Sequence, residues 1–391
     1  MEYRCLGNVG LRVSALGFGA MRLPLAGDRP EDIDRDEARR MLRRAIDLGV
    51  TYVDTAYSYH GGQCESWLGW ALGDSYRERV TLATKLPTWK VERRDDFDRL
   101  LDEQLTRLGT GIDLYLLHSL DETSWRDNVV AHDVLRSAER ALADGRIGHL
   151  GFSFHDSFDV FMTILTATDL WEFCQIQYNY MDEDYQAGRR GLYAAAERGL
   201  GVVVMEPLRG GQLARPTPEV AAIWAAAQRD LEGCVPAGVL IPESPVEWAL
   251  RWVWSHPEVS LLLSGMSTME QVEQNARYAE RSSVPLSAAE LAVIDRVRDA
   301  YRAALPVPCT SCKYCLPCPN KVAIPDVFRL YNDAVAYGDV DGARRQYTWL
   351  PEGERGDACR QCGECEDRCP QHIAIVDCLQ KAHAFLAAGD D

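Results

Sequence analysis

The chain has 391 residues, of which 47% are hydrophobic and 26% charged, and a formal net charge of −17. That is room for one large domain with a sizeable core plus a small one. A surface this acidic repels phosphate backbones and anionic lipid, so neither nucleic-acid nor membrane-surface binding is expected. The first residues, MEYRCLGNVGLRVSALGFG, lack the basic start and long apolar run of a signal peptide, and no apolar run is long enough to span a bilayer. A soluble, cytoplasmic protein is expected.

Along the first 280 residues, short β-branched or apolar runs occur at 13–20, 51–56, 80–86, 112–119, 147–155, 174–180, 201–207 and 259–265. Amphipathic segments of helical period lie between them. In DDFDRLLDEQLTRLG, Phe97, Leu100, Leu101, Leu105 and Leu108 share one face, and Gly49, Gly109 and Gly199 stand where helices should stop. Eight strands, each followed by a helix, predict an α/β fold with a parallel sheet. A closed (β/α)8 TIM barrel over residues 1–282 has this count; an open doubly wound sheet is the alternative. The link between 207 and 243 is long and carries a helical stretch at 218–231, read as an insertion. Residues 283–306 read as a capped linker helix, and 307–391 as a small second domain.

That second domain holds most of the cysteine. Thirteen cysteines are present, and eight of them fall in CTSCKYCLPCP (309–319) and CRQCGECEDRCP (359–370). The other five, Cys5, Cys64, Cys174, Cys234 and Cys378, are scattered and are expected to be small buried hydrophobes. Without a secretory signal the eight read as metal ligands rather than disulfides. Three cysteines two apart, then a fourth followed by proline, is the iron–sulfur run in which the fourth cysteine serves the other cluster. This groups Cys309, Cys312, Cys315 and Cys369 on one 4Fe–4S cluster, and Cys359, Cys362, Cys365 and Cys318 on a second. The first motif departs from the pattern, with two residues rather than three before Cys318. Zinc is the rival reading, with four ligands usually drawn from two separated CxxC pairs. About 40 residues that read as helical separate the motifs.

In a barrel the functional residues gather at the C-terminal ends of the strands. Here those ends carry Asp54, Tyr57 and Tyr59 in YVDTAYSYHGG, Lys85 in LATKLP and His118 in LYLLHSL. A snorkelling lysine or a satisfied core histidine explains each one singly. Three titratable groups and a tyrosine on three consecutive strand ends point together to one polar site.

The opening YRCLGNVGLRVSALGFGAMRLP, with GVTYVDTAYSY, TKL, DLYLLHS, QIQYN and SGMSTMEQVEQN, resembles the aldo-keto reductases over about residues 1–280. The resemblance implies a (β/α)8 barrel using NAD(H) or NADP(H) on a small carbonyl or alcohol substrate. It places the catalytic tetrad on Asp54, Tyr59, Lys85 and His118. Tyr59 would donate the proton, Lys85 would lower its pKa, Asp54 would hold the cation and His118 would orient the carbonyl oxygen. It further implies that Ser153 and Gln175 hold the nicotinamide amide. Pro207, Leu208, Gly210 and Gly211 in MEPLRGG, and Ser264, Gly265, Met266, Gln271 and Asn275 in SGMSTMEQVEQN, would line the rest of the nucleotide.

Two departures stand out. Phe154 replaces an asparagine that the family uses for the amide. The last segment has no basic residue for a 2′-phosphate, and it carries Glu270 and Glu273. The cysteine-rich end resembles α-helical ferredoxin domains, and the whole chain resembles the subgroup of the family that carries such a tail. The implied function is an oxidoreductase whose two 4Fe–4S clusters relay electrons to or from a ferredoxin-like carrier or a nicotinamide. A flavin stays open as the splitter of the electron pair, as do purely structural clusters. The alternative function is a redox-sensing or electron-transfer protein with the barrel as binding scaffold.

Overall fold

The computed structural model describes residues 1–232 and 241–388. The chain divides into two compact units, 1–210 with 246–286 and 211–245 with 287–391.

The first unit opens with an antiparallel hairpin, β1 (Tyr3–Cys5) and β2 (Arg12–Ser14). Eight further strands follow: β3 (Leu16–Gly19), β4 (Tyr52–Asp54), β5 (Thr81–Leu86), β6 (Ile112–Leu120), β7 (Ile147–Phe154), β8 (Phe173–Gln177), β9 (Gly201–Met205) and β10 (Val259–Ser264). All pair in parallel with their neighbours in the ring, and β10 closes it between β9 and β3. The sheet is therefore a closed barrel and not an open one. The intervening helices stop where sequence predicts. Helix Asp96–Leu108 buries Phe97, Leu100, Leu101 and Leu108 and ends at Gly109. That glycine sits at φ +64° and donates its N–H to the Leu105 carbonyl at 2.9 Å, a left-handed stop at which a side chain is disfavoured.

Two expectations are corrected here. The run 13–20, read as one strand, is two. At Ala15 the backbone changes partner, its N–H going to the Glu2 carbonyl and its carbonyl accepting from Leu262 of β10. Arg12–Ser14 thus belongs to the hairpin and Leu16–Gly19 to the barrel. Cys5 is exposed rather than buried. Strand alternation turns Arg4 inward and Cys5 out. Cys64 and Cys174 are buried and Cys378 partly so, while Cys234 lies outside the described residues.

The hairpin seals one end of the barrel. Leu6 and Val13 join Tyr52, Ala83, Leu114, Leu116, Phe173, Val203 and Leu261 in one fully buried cluster. The Arg4 guanidinium donates to the carbonyls of Trp254 (2.7 Å), Val259 (2.9 Å) and Ser282 (2.6 Å), and the Glu2 carboxylate accepts from the hydroxyls of Ser282 and Ser283.

In the second unit, helix Ala288–Ala303 starts at a capping box between Ser287 and Glu290 and packs on helix Pro218–Glu232. The insertion and the segment read as a linker therefore group with the cysteine-rich residues, because their apolar faces bury each other. The stretch between the cysteine motifs folds as helices Ile324–Ala336 and Val340–Trp349, broken at Gly338 (φ +69°). With helix Ile375–Leu386 they enclose Val322, Ile324, Phe328, Tyr347, Ile373 and Leu379. Among the described residues no helix is long and apolar enough to cross a membrane.

Candidate functional site

Strand periodicity builds the barrel site. Tyr52, Ala83, Leu116 and Phe173 form an apolar layer inside the barrel. Two residues further along the same strands, on the same face, stand Asp54, Lys85, His118 and Gln175. Pairing of β4 with β5 and of β5 with β6 sets Asp54 and Lys85 on adjoining strands, with His118 one strand on.

Lys85 is fully buried, and its ammonium donates to Asp54 Oδ1 (2.6 Å), the Thr55 carbonyl (2.7 Å) and the Tyr59 hydroxyl (3.3 Å). The Tyr59 ring lies edge-on to His118 with centroids 6.1 Å apart. Tyr57 is turned away, its hydroxyl on Glu103 and its ring under Arg107. Burial works against the Lys85 charge, but Asp54 and Tyr59 outweigh it and hold the ammonium above its ordinary value. Burial lifts the Asp54 carboxyl, with Lys85 opposing. Burial also pushes the Tyr59 phenol above its ordinary value, and Lys85 reverses only part of that rise. The cation acts in the direction expected of it, and desolvation is the larger influence on the phenol. His118 is held well below the ordinary histidine range, first by burial and then by the charges of Lys85 and His155, so its ring is neutral at neutral pH.

Several buried polar atoms here have no partner among the described residues: Asp54 Oδ2, His118 Nδ1 and Gln175 Oε1. Buried polar groups are nearly always paired, so atoms left open on one barrel face fit a polar ligand. Gln175 Nε2 meets only the Met205 sulfur, at 3.8 Å, which leaves the amide available to a carboxamide. The Ser153 hydroxyl accepts from the Ser119 N–H at 2.7 Å and keeps its own proton to donate. Phe154 faces the other way, packed edge-on against Phe161 in the layer between strands and helices.

The nucleotide-side residues are more committed. Asn275 donates to the Ser264 hydroxyl (3.0 Å), Gln271 accepts from the Ser267 N–H (2.7 Å), and Met266 is buried. Glu273 is paired with Arg44. Pro207 is buried and Leu208 half-buried, and Gly210 and Gly211 follow at φ +65° and +99°. Gly265, just after β10, is exposed.

In the second unit the two cysteine motifs fold alike. Ser311 and Gln361, both at positive φ, donate their N–H groups to the sulfurs of Cys309 and Cys359. Lys313 and Gly363 follow at positive φ, as do Lys321 and His372, whose N–H groups close turns on Cys318 and Cys369. The correspondence continues through VAIPDVF and IAIVDCL into the next helix of each half. Cys309, Cys312, Cys315 and Cys369 line one pocket with Ile324, Phe328, Ile373 and Ile375. Cys365 in turn feels the charges of Cys359 and Cys318. Among the described residues no three His, Cys, Asp or Glu side chains converge as a single metal ion requires. A 4Fe–4S cube is larger than one ion and takes its thiolates further apart.

Residues 15–299 match the Aldo/keto reductase family. The chain belongs to that family. Residues 308–374 match the 4Fe-4S dicluster domain, so this is an aldo/keto reductase-type oxidoreductase with an iron–sulfur domain appended. It is 27% identical to the L-galactose dehydrogenase of Arabidopsis thaliana, over 77% of this chain and 96% of that one. It is 28% identical to the methylglyoxal reductase YeaE of Escherichia coli, over 72% and 93%. The aldo-keto reductase AKR11C1 of Bacillus halodurans superposes with a TM-score of 0.60 at 26% identity, covering 76% of this chain and 96% of that one.

Three features of this reductase escaped sequence reasoning. Trp89, 46% exposed, stands with its ring 5.2 Å from His118, and Thr88 beside it donates to the His118 carbonyl. An aromatic four residues after the lysine was the available signal. Behind Lys85, fully buried Glu65 accepts from Thr84 and Gln104 and pairs with Arg107, while Gln104 also donates to the Lys85 carbonyl. Half-buried His155 lies near His118 and disfavours a charge on its ring.

Proposed function

We propose that the barrel interconverts a carbonyl and an alcohol at Tyr59, and that the eight motif cysteines hold two 4Fe–4S clusters in the crossed grouping. The observation carrying the barrel reading is Lys85: one fully buried ammonium bridging Asp54 and Tyr59, with His118 and Gln175 open on the same face. A nicotinamide, when bound, supplies the hydride that goes to the carbonyl carbon. Tyr59 then gives its proton to the carbonyl oxygen, and the phenolate left behind is stabilised by Lys85, whose charge is balanced by Asp54. Neutral His118 donates a hydrogen bond to the same oxygen and fixes its direction. Gln175 and Ser153 hold the carboxamide, Gln175 through its open oxygen and Ser153 through its free proton. In the alcohol direction the proton returns to Tyr59.

The crossed cysteine grouping is supported by the pocket that brings Cys369 to Cys309, Cys312 and Cys315. Held by these cysteines, each cluster would relay one electron at a time, so the two electrons of a hydride would pass in separate steps and its proton would be released. Exchange with a ferredoxin-like carrier completes this reading.

The test is anaerobic purification, then iron and sulfide analysis and carbonyl turnover with Tyr59→Phe alongside. About eight irons and eight sulfides per chain are expected. The variant should keep its iron and its nucleotide affinity and lose turnover. Stoichiometric zinc without iron overturns the cluster reading, and wild-type rates in the variant overturn the role of Tyr59.

A further inference from the structure

Cys309, Cys312 and Cys315 correspond in spacing to Cys359, Cys362 and Cys365. The hydrogen bonds to their sulfurs match: the Ser311 N–H goes to Cys309 at 3.5 Å and the Gln361 N–H to Cys359 at 3.4 Å. Exposure matches as well, with Cys312 and Cys362 exposed and the other four half-buried. Sulfur hydrogen bonds, solvent exposure and local charge decide how readily an iron–sulfur cluster takes an electron. The two halves are alike in the first two and differ in the third.

One residue past the third cysteine, the first half has Leu316 and the second has Glu366, both half-buried. The Glu366 carboxylate accepts from the Val376 N–H at 2.9 Å, at the start of helix Ile375–Leu386. The residue of the first half that corresponds to Val376 is Pro325, which has no N–H to give. The carboxylate and its donor are thus present together in one half and absent together in the other. Burial, and then the charges of Glu366, Cys359 and Cys318, push the Cys365 thiol up to about 11. Burial and the charges of Cys309, Cys312 and Cys365 do the same to Cys315, so the two sets of ligands adjoin.

The first half has its own charge in Lys313. It stands exposed at φ +63° where the second half has Gly363, and it lines the pocket of Cys309, Cys312, Cys315 and Cys369. Of the other charges nearby, Glu364 is paired with Arg368 at 3.4 Å, and Lys321, Asp357, Arg360 and Asp367 are exposed. Solvent and salt screen exposed charges, so half-buried Glu366 acts most strongly.

We infer that Glu366 makes the two cysteine sets unequal hosts: the set containing Cys315 accepts the first electron, the set containing Cys365 accepts the second, and Lys313 widens the gap. This rests on the reading of the motif cysteines as holders of two 4Fe–4S clusters. It does not depend on which fourth cysteine completes each set. Each step adds one electron from a one-electron donor, and no bond is made or broken.

The anaerobic holoprotein and its Glu366→Gln and Lys313→Gln variants are titrated with dithionite and mediators, and EPR is recorded at each potential. Glutamine still accepts from the Val376 N–H, so Glu366→Gln removes the charge and keeps the fold. Two one-electron waves are expected in the wild type, with a spin-coupled spectrum appearing in the second because the two sets adjoin. At an effective dielectric constant of about 20, a charge about 10 Å away changes an equilibrium roughly tenfold. Glu366→Gln should therefore raise the lower wave by about 59 mV, the one-electron equivalent of tenfold, and leave the upper one nearly still. Lys313→Gln should lower the upper wave by less. A single wave for both clusters in the wild type, or movement of the upper wave in Glu366→Gln, would overturn the order. A lower wave unmoved in Glu366→Gln would overturn the role of Glu366, and an upper wave unmoved in Lys313→Gln that of Lys313. Iron and sulfide well below about eight each per chain in the wild type would instead remove the cluster reading on which the inference rests.

Discussion

The barrel site and the cysteine domain are two chemical centres built by opposite means. The barrel brings Asp54, Lys85 and His118 together through strand register, buries Asp54 and Lys85 and leaves some polar atoms of the group unpaired. The cysteine domain places its ligands by local spacing, with turns at positive φ repeated in both halves and with Cys312 and Cys362 exposed. Register-built sites depend on everything packed behind them. A spacing-built site carries most of its geometry in two short motifs, and so it can be appended to an unrelated fold. The difference teaches that a long-range site is sensitive to remote changes, whereas a local one is sensitive chiefly to its own ligands.

The largest effect should come from the barrel's reacting pair. Tyr59→Phe should lower carbonyl turnover by about a hundred- to ten-thousand-fold, the usual range for a positioned proton donor, with iron content unchanged. Lys85→Met should match it in steady-state kinetics, and it should also lower thermal stability because Asp54 is left buried without its partner. Equal turnover in both variants and the wild type would break the barrel half of the comparison.

Remote sensitivity is tested behind the strands. Glu65→Ala leaves Arg107, Thr84 and Gln104 without their shared acceptor, and should cost about 3–5 kcal/mol in denaturant unfolding. A loss within about 0.5 kcal/mol would show that the network does not support Lys85.

The cysteine domain is sharpened by pairing substitutions. A chain with Cys309, Cys312 and Cys315 replaced by serine should keep about half of its iron. Adding Cys369→Ser to it should cost no more, whereas adding Cys318→Ser should remove the rest. The reverse result would show that each motif keeps its own fourth ligand.

The smallest effects concern pH and nucleotide choice. Reduction needs Tyr59 protonated, so its rate is full below the phenol's pKa and falls as pH rises through it. Burial raises that pKa, which puts the alkaline limb above that of a free tyrosine. His118 titrates well below its ordinary range, so the pH–rate profile should show no limb near 6.5. NADH should bind at least as tightly as NADPH, because SGMSTMEQVEQN carries no lysine or arginine. A clear preference for NADPH when the anaerobic protein is titrated with both nucleotides would refute this.

Much of this was legible in the chain. The alternation of runs and amphipathic helices indicates a barrel, and Asp54, Lys85 and His118 stand out because charged residues at the ends of apolar strands need a reason. The eight cysteines are legible through spacing alone. The likeness of VAIPDVF to IAIVDCL was also in plain view and extends the repeat past the cysteines. It sets Cys378 opposite Val327, a core position, which accounts for that thiol as packing. Other features were hidden for physical reasons. The upward shift of Tyr59 depends on burial, a tertiary quantity. The two-strand division of 13–20 depends on a change of partner at Ala15. That Tyr57 is occupied elsewhere, by Glu103 and Arg107, is likewise a tertiary fact, although the resemblance already placed the tetrad on Tyr59.

Glu2 reaches Ser282 and Ser283, and Arg4 reaches across from β1 to Trp254, Val259 and Ser282. The polypeptide of the barrel thus begins and finishes at one place, a loop of chain as well as a ring of strands. Such a chain tolerates relocation of its ends. Joining residue 2 to residue 283 through a short flexible linker, and opening the chain at an exposed turn such as Gly145, should give a permuted barrel with the same pairing. What the native order of residues adds at that junction is a fixed exit for the polypeptide, not a determinant of the ring.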